Sequence, residues 1–173
     1  EEIAKNRKSD FTVKVYKDGK PIENAGISYE LEKIDFDFGC NIFMLDQYDD
    51  PAQQETYYKQ WLNLFNTAVI PLYWEGTEPR AGYLRYSADT PNDVYRRPPA
   101  DRVVDFCRRN GISMKGHPLF WQEFTARWLP EKWDELYPLI EKRFGEIAER
   151  YADIVPVFDC VNEPARLFDQ QFE

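Results

Sequence analysis

Apolar and polar positions recur along the chain in two different periods, and their order predicts the architecture. From Phe11 to Val15, Phe-Thr-Val-Lys-Val alternates with the period of a half-buried strand. Lys17-Asp18-Gly19-Lys20 supplies an Asp-Gly turn, and a second alternating run follows from Ile27 to Leu31. A small structural β-hairpin annex is therefore expected within residues 1–34, ahead of a main domain over residues 35–173. Phe36-Asp37-Phe38-Gly39-Cys40-Asn41-Ile42 reads as the first strand of that domain, ending in a Gly-containing turn.

The period then changes. Asp50-Pro51 has the form of an N-cap followed by Pro at the first helical position, and Tyr57, Trp61, Leu64, Phe65 and Ala68 recur at helical spacing. Thr67 to Trp74 is a compact apolar run, the pattern of a strand buried on both faces of a parallel sheet. Residues 75–99 have no period and are rich in Gly, Pro, Arg and Tyr; a loop this long in a compact domain is usually functional or disordered. A helix from Ala100 to Asn110 follows, with Val103, Val104 and Cys107 inward and Gly111 just past its end. Ile112 to Trp121 reads as the third strand. Pro130 opens a helix carrying Trp133, Leu136, Ile140, Phe144, Ile147 and Tyr151 on one face, and Ile154 to Val161 reads as the fourth strand.

Strands alternating with helices predict a parallel α/β fold. No glycine-rich phosphate turn follows the first strand, which argues against a nucleotide-binding sheet. The remaining choice is a (β/α)8 TIM barrel. Such a barrel needs about 250 residues, and the chain has 173, so it is expected to cover about the first four strands of the eight.

Composition narrows the ligand. Aromatic residues make up 16% of the chain, more than a small core needs, so some are expected to line a surface that stacks on flat rings such as sugars. The net charge of -9 argues against nucleic acid. No segment reaches the ~20 apolar residues of a membrane span. The start Glu1-Glu2-Ile3-Ala4-Lys5 is neither a signal peptide nor a Met start, and reads as processed or trimmed. Cys40, Cys107, Cys160 and the single His117 form no zinc spacing, so no metal or cofactor is implied, and the cysteines read as small buried apolar residues rather than disulfide partners.

In βα barrels the strands' C-terminal ends carry the chemistry. Here those ends hold Asn41, Tyr73, Trp74, His117, Trp121, Gln122, Asn162 and Glu163, an amide, carboxylate and indole set suited to hydroxyl-rich ligands. Glu163, at the mouth of the barrel, is placed to donate a proton to a glycosidic oxygen. By spacing alone Asn162-Glu163-Pro164 serves equally well as a helix cap or an arginine partner. His117 alone fits a core histidine held by a backbone carbonyl, and Trp74 and Trp121 fit either core or sugar platform. Asp159 reads as a partner that orients a neighbour.

Three ordered motifs together resemble glycoside hydrolase family 10, the xylanase family. They are Phe38-Gly39-Cys40-Asn41, Gly116-His117-Pro118-Leu119-Phe120-Trp121 and Phe158-Asp159-Cys160-Val161-Asn162-Glu163, with support from Trp74, Thr77-Glu78-Pro79 and Gly82. The resemblance implies a barrel, a retaining mechanism and a β-1,4-linked plant polysaccharide as substrate. It implies Glu163 as acid/base, Asn162 holding the hydroxyl next to the reacting carbon, and His117 and Trp121 shaping the same subsite. It also implies a secreted or periplasmic location, because polymeric glycans lie outside cells.

The chain departs from the family in ways that bear on substrate. Ile70-Pro71-Leu72-Tyr73-Trp74 stands where the family has Asn-x-Met-Lys-Trp, and Tyr73 cannot supply a cation. Gln122 replaces a His. Ser87 to Pro99, rich in Asp and Arg, resembles an insertion that senses a decorated or acidic side chain. No residue matches the family's nucleophile, so the rest of the barrel is expected to be needed for activity. The alternatives are a carbohydrate-binding pseudoenzyme, which the retained Asn162-Glu163 speaks against, and a structural module, which explains no motif.

Overall fold

The computed structural model describes residues 2–32 and 35–165, and what the sequence predicts for residues 1, 33, 34 and 166–173 lies outside these. The chain divides into two compact units, Glu1–Asp35 and Phe36–Glu173.

The first unit holds helix α1 (Glu2–Arg7) and an antiparallel pair, β1 (Tyr16–Lys17) and β2 (Lys20–Pro21). The Asp18-Gly19 turn forms with positive φ at both residues, but the ladder stays two residues long. The expected strands Phe11–Val15 and Ile27–Leu31 do not pair with each other. Their apolar side chains Phe11, Val13, Ile27, Tyr29 and Leu31 are exposed, so alternation there has no second layer to bury it.

The second unit is built on four parallel strands in the order β3 (Gly39–Asn41), β4 (Thr67–Pro71), β5 (Ser113–His117) and β6 (Val157–Phe158). Between them run α2 (Pro51–Leu64), the single turn α3 (Trp74–Thr77), α4 (Ala100–Arg109) and α5 (Trp133–Tyr151). Asp50 caps α2 by accepting the Ala52 N–H at 2.9 Å, with Pro51 at the first position. Leu64 is exposed at the end of α2, and Ala68 belongs to β4, so the apolar spacing runs on past the end of the helix. In α4, Ala100, Val103, Val104 and Cys107 are buried, and Gly111 follows at φ +65. The last helix begins at Trp133 rather than Pro130, and Trp133 is exposed.

Each strand shows two faces. Ala68 and Ile70 of β4 and Met114 of β5 enter a core with Val103 and Cys107 of α4 and with Ile147 and Tyr151 of α5. Thr67, Val69, Lys115 and His117, on the opposite face, are half-buried. The expectation of β4 buried on both faces is thus corrected: helices cover one side of the sheet among the described residues. The last strand is also shorter than Ile154–Val161. It pairs only with β5, and beyond Phe158 a single bridge joins Phe120 to Val161.

Arg143 ties the far ends of the strands together. Buried within α5, it donates from Nε to the Leu119 carbonyl at 2.8 Å, from Nη1 to Thr77 Oγ1 at 2.8 Å, and from Nη2 to the Leu72 carbonyl. Burial pulls its pKa down, with Tyr86, Glu78 and Glu146 opposing. A guanidinium so buried needs every donor engaged, and its acceptors are the segments that follow β4 and β5.

Candidate active site

The parallel register brings the predicted strand ends to one edge of the sheet. His117 pairs with Pro71, and Gly116 pairs with Phe158, so His117 and Asp159 end neighbouring strands. The close approach needs Gly116: a Cβ there would lie 2.4 Å from Phe158 Cδ1 and 2.8 Å from Leu72 Cδ1. His117 Nδ1 lies 2.9 Å from Asp159 Oδ2, and Lys115 Nζ lies 3.0 Å from the same oxygen. Burial raises the Asp159 carboxyl, but hydrogen bonds from Lys115 and His117 outweigh it and hold the group below its ordinary value. Lys115 and His117 share a face because strand side chains alternate with period two.

Beside them, Trp121 Nε1 donates to Glu163 Oε2 at 3.2 Å. Glu163 is exposed, with a left-handed backbone at φ +51. Asn162, half-buried, donates its backbone N–H to the Phe120 carbonyl at 2.9 Å, which ties the Asn-Glu turn to the Trp121 segment. Tyr73 completes the floor, with its ring 5.5 Å from His117 and 6.0 Å from Trp121. Burial raises the Tyr73 pKa, while Arg97 and Arg96 oppose it. His117, Asp159, Trp121, Glu163, Asn162 and Tyr73 therefore gather in one cluster.

Other predicted site residues fall outside it. Trp74 is 3% exposed and packs with Phe120, Trp128 and Arg143, donating its N–H to Glu78 Oε2 at 3.0 Å. It belongs to the core and offers no face to a sugar; Glu78 in turn accepts the Gly82 N–H at 2.8 Å, so the Trp-x-x-x-Glu pattern stabilises the loop. Asn41 is exposed at the end of β3, where its backbone carbonyl accepts Trp61 Nε1 at 3.3 Å. Gln122 is exposed at the start of a 3-10 turn, Gln122–Phe124. Cys160 is exposed rather than buried, whereas burial pushes the Cys107 thiol up to about 12.

The sequence did not single out Phe43, Phe124, Arg96 or Arg97 individually. Phe43 and Phe124 pack edge-on against Tyr73 at 5.7 Å each. The guanidinium carbon of Arg97 lies 3.7 Å above the Tyr73 ring, and its Nη2 pairs with Glu75 Oε1 at 3.0 Å. The Arg-Arg pair in a long aperiodic loop was the only available signal. Among the described residues no group of three or more His, Cys, Asp or Glu is arranged to hold a metal ion.

A parallel sheet with helices on one face and a polar, aromatic cluster at its C-terminal edge is the arrangement of a βα-barrel protein. Residues 38–171 match the family model described as glycosyl hydrolase family 10, and the chain belongs to that family. It is 31% identical over 123 residues to an endo-1,4-beta-xylanase/feruloyl esterase of Xylanibacter ruminicola, covering 66% of this chain and 15% of that protein. It is 33% identical over 133 residues to the anti-sigma-I factor RsgI6 of Acetivibrio thermocellus, covering 75% of this chain and 15% of that one. Among solved structures, a psychrophilic glycoside hydrolase family 10 endo-beta-1,4-xylanase superposes with a TM-score of 0.52 at 29% identity, covering 74% of this chain and 38% of that one. The chain thus spans well under half the length of these relatives.

Proposed function

We propose that the chain is the N-terminal half of the catalytic barrel of a retaining, endo-acting glycoside hydrolase that cleaves xylan or a xylan-like β-1,4 polysaccharide. The observation that carries this reading is the Trp121 N–H held on the Glu163 carboxylate, beside a His117 anchored by Asp159. Glu163 is the acid/base: it protonates the leaving oxygen and then, as carboxylate, activates water. The Trp121 contact sets the direction of that carboxyl group. Asp159 anchors His117 through Nδ1 and leaves Nε2 on the opposite edge of the ring to meet a sugar hydroxyl. Asn162 holds the hydroxyl beside the reacting carbon, while Tyr73 and Gln122 shape preference among related glycans. A retaining mechanism needs a second carboxyl ~5 to 5.5 Å from the first. That nucleophile is assigned to the remaining half of the barrel, so activity requires both halves. The unit Glu1–Asp35 is a structural annex.

The enzyme is placed outside the cytoplasm, secreted or periplasmic, where polymeric glycans lie. No helix among the described residues is long and apolar enough to cross a membrane.

The test is Glu163→Gln in the intact protein. Rates on an oligosaccharide should fall by about 10² to 10⁴. An aryl glycoside with an acidic phenol leaving group should be spared in the first step and show a burst, and azide, which needs no general base, should rescue the second. Near-normal activity of Glu163→Gln on the oligosaccharide would return Glu163 to a structural role.

A second reading, a carbohydrate-binding protein without catalysis, draws on the similarity to a protein named for a regulatory rather than a hydrolytic role. Under it, the intact protein would bind xylo-oligosaccharides and turn over none of them.

A further inference from the structure

We infer that Arg96 and Arg97 form a carboxylate-recognition corner that gives the cleft a preference for β-1,4 glycans bearing a uronic-acid side group. This rests on the glycan-binding reading above and adds the substrate's charge to it.

The corner is built from one ring cluster and two cations. The Arg97 guanidinium sits among three rings, 3.7 Å from Tyr73, 5.8 Å from Phe43 and 6.0 Å from Phe124, and its Nε is buried with no hydrogen-bond partner. The Arg96 guanidinium lies 5.7 Å from the same Phe43 ring, and Arg96 is exposed. Two like charges therefore share one phenyl ring. Glu75 offsets one of them through Arg97; among the described residues no carboxylate forms an ion pair with Arg96. The corner is left with one excess positive charge in a chain of net charge -9.

The loop that presents this charge is fixed in place. Arg85, fully buried, donates to the carbonyls of Gly76 at 2.5 Å, Pro91 at 2.8 Å and Arg97 at 3.3 Å, and pairs with Asp93 at 3.1 Å. Asn92 Nδ2 donates to the Asp46 carbonyl at 2.8 Å, and the Arg96 N–H donates to Gln47 Oε1 at 2.8 Å. Arg96 itself is held at φ +59, a backbone conformation that a non-glycine residue adopts at a cost. At Gly76 a Cβ would lie 2.7 Å from Arg97 Cγ, so a glycine there admits the arginine stem.

Neutral hydroxyls need no second cation, whereas a planar carboxylate matches a guanidinium fork and gains from charge-assisted hydrogen bonds. Tyr73 joins the corner to the catalytic cluster through its contacts with His117 and Trp121. A carboxylate on a sugar bound there would reach Arg96 without displacing Glu75.

The test is calorimetric titration of the intact protein, in its Glu163→Gln form so that no oligosaccharide is cleaved, with a xylo-oligosaccharide carrying one glucuronic-acid side group, its carboxyl-reduced counterpart, the undecorated oligosaccharide and free glucuronate. The charged oligosaccharide should bind about tenfold more tightly than the reduced one, the factor that one charge-assisted hydrogen bond carries. That ratio should fall toward one in Arg96→Ala, be partly kept in Arg96→Lys, and shrink as salt rises from about 0.05 to about 0.5 M. Equal binding of charged and reduced forms, or a preference unchanged in Arg96→Ala, overturns the inference while leaving the glycan-binding reading standing. Free glucuronate binding as tightly as the decorated oligosaccharide also overturns it, since the corner would then be a general anion site. Binding of none of the four overturns both.

Discussion

On the helix side of the four-stranded sheet, Ala68, Ile70 and Met114 pack into a closed core, while Val69, Lys115 and His117 alternate with them on the other side and stay half-exposed. The same strands thus serve two purposes. The closed side is apolar and interdigitated and sets stability. The open side carries the charged and aromatic groups that the strand ends feed into the site, with the Asp159 carboxylate held between an ion pair to Lys115 and a hydrogen bond to His117 where packing is thin. Stability and chemistry are separated by the two-residue period of a strand.

Substitutions that treat the two faces alike should reveal this difference. The largest effect is expected from Ile70→Ala, which empties a closed site and should cost about 3 kcal/mol, against less than about 1 kcal/mol for Val69→Ala; equal losses in chemical denaturation would erase the distinction. Next comes Gly116→Ala, on the closed side beside Met114. Its Cβ would meet Phe158 and Leu72 at 2.4 and 2.8 Å, and such overpacking costs about 1 to 3 kcal/mol. A melting temperature equal to that of the parent would mean that the closed side has slack at this point.

A smaller, pH-dependent effect belongs to the open side alone. The Asp159 carboxyl is held below its ordinary value of 3.8, so its stabilising contribution is present above that pH and lost as pH falls through the folded value. Asp159→Asn should therefore lower stability at neutral pH, with the two melting curves converging in acid; parallel curves down to about pH 2 would exclude the linkage. The smallest effect is chemical. Burial pushes the Cys107 thiol up to about 12, whereas Cys160 is exposed, so a thiol reagent should label Cys160 in the folded chain and reach Cys107 only on unfolding.

The closed side was the more legible of the two. Its helices announce themselves through local signals: Asp50-Pro51 for the start of α2, and Val103, Val104 and Cys107 at 3.6-residue spacing for α4. Strand lengths were less legible, because β6 has one partner strand and apolar sequence alone does not make a ladder. The N-terminal runs failed for a related reason: Phe11 and Tyr29 meet edge-on at 6.3 Å, but with no second layer over them both stay exposed. Within the candidate site, residues at strand ends come together because the register aligns them, as with His117 beside Asp159. Trp74 stayed open between core and sugar platform because an indole reads the same on paper whether it faces a sugar or Phe120. Arg97 was overlooked because its partner Tyr73 lies 24 residues earlier (97 − 73), a pairing that no local pattern encodes.

The left-handed backbone of Glu163, at φ +51, sets a trade-off for the evolution of this fold. A side chain in that region is strained, and glycine would relieve the strain and stabilise the turn by about 1 kcal/mol. On the acid/base reading of Glu163, random drift toward stability pulls against the carboxyl group, and a lineage released from that role should lose Glu163 early. Whether a descendant keeps a glutamate or shows a glycine or asparagine at this position becomes a record of whether its cleft has remained under selection.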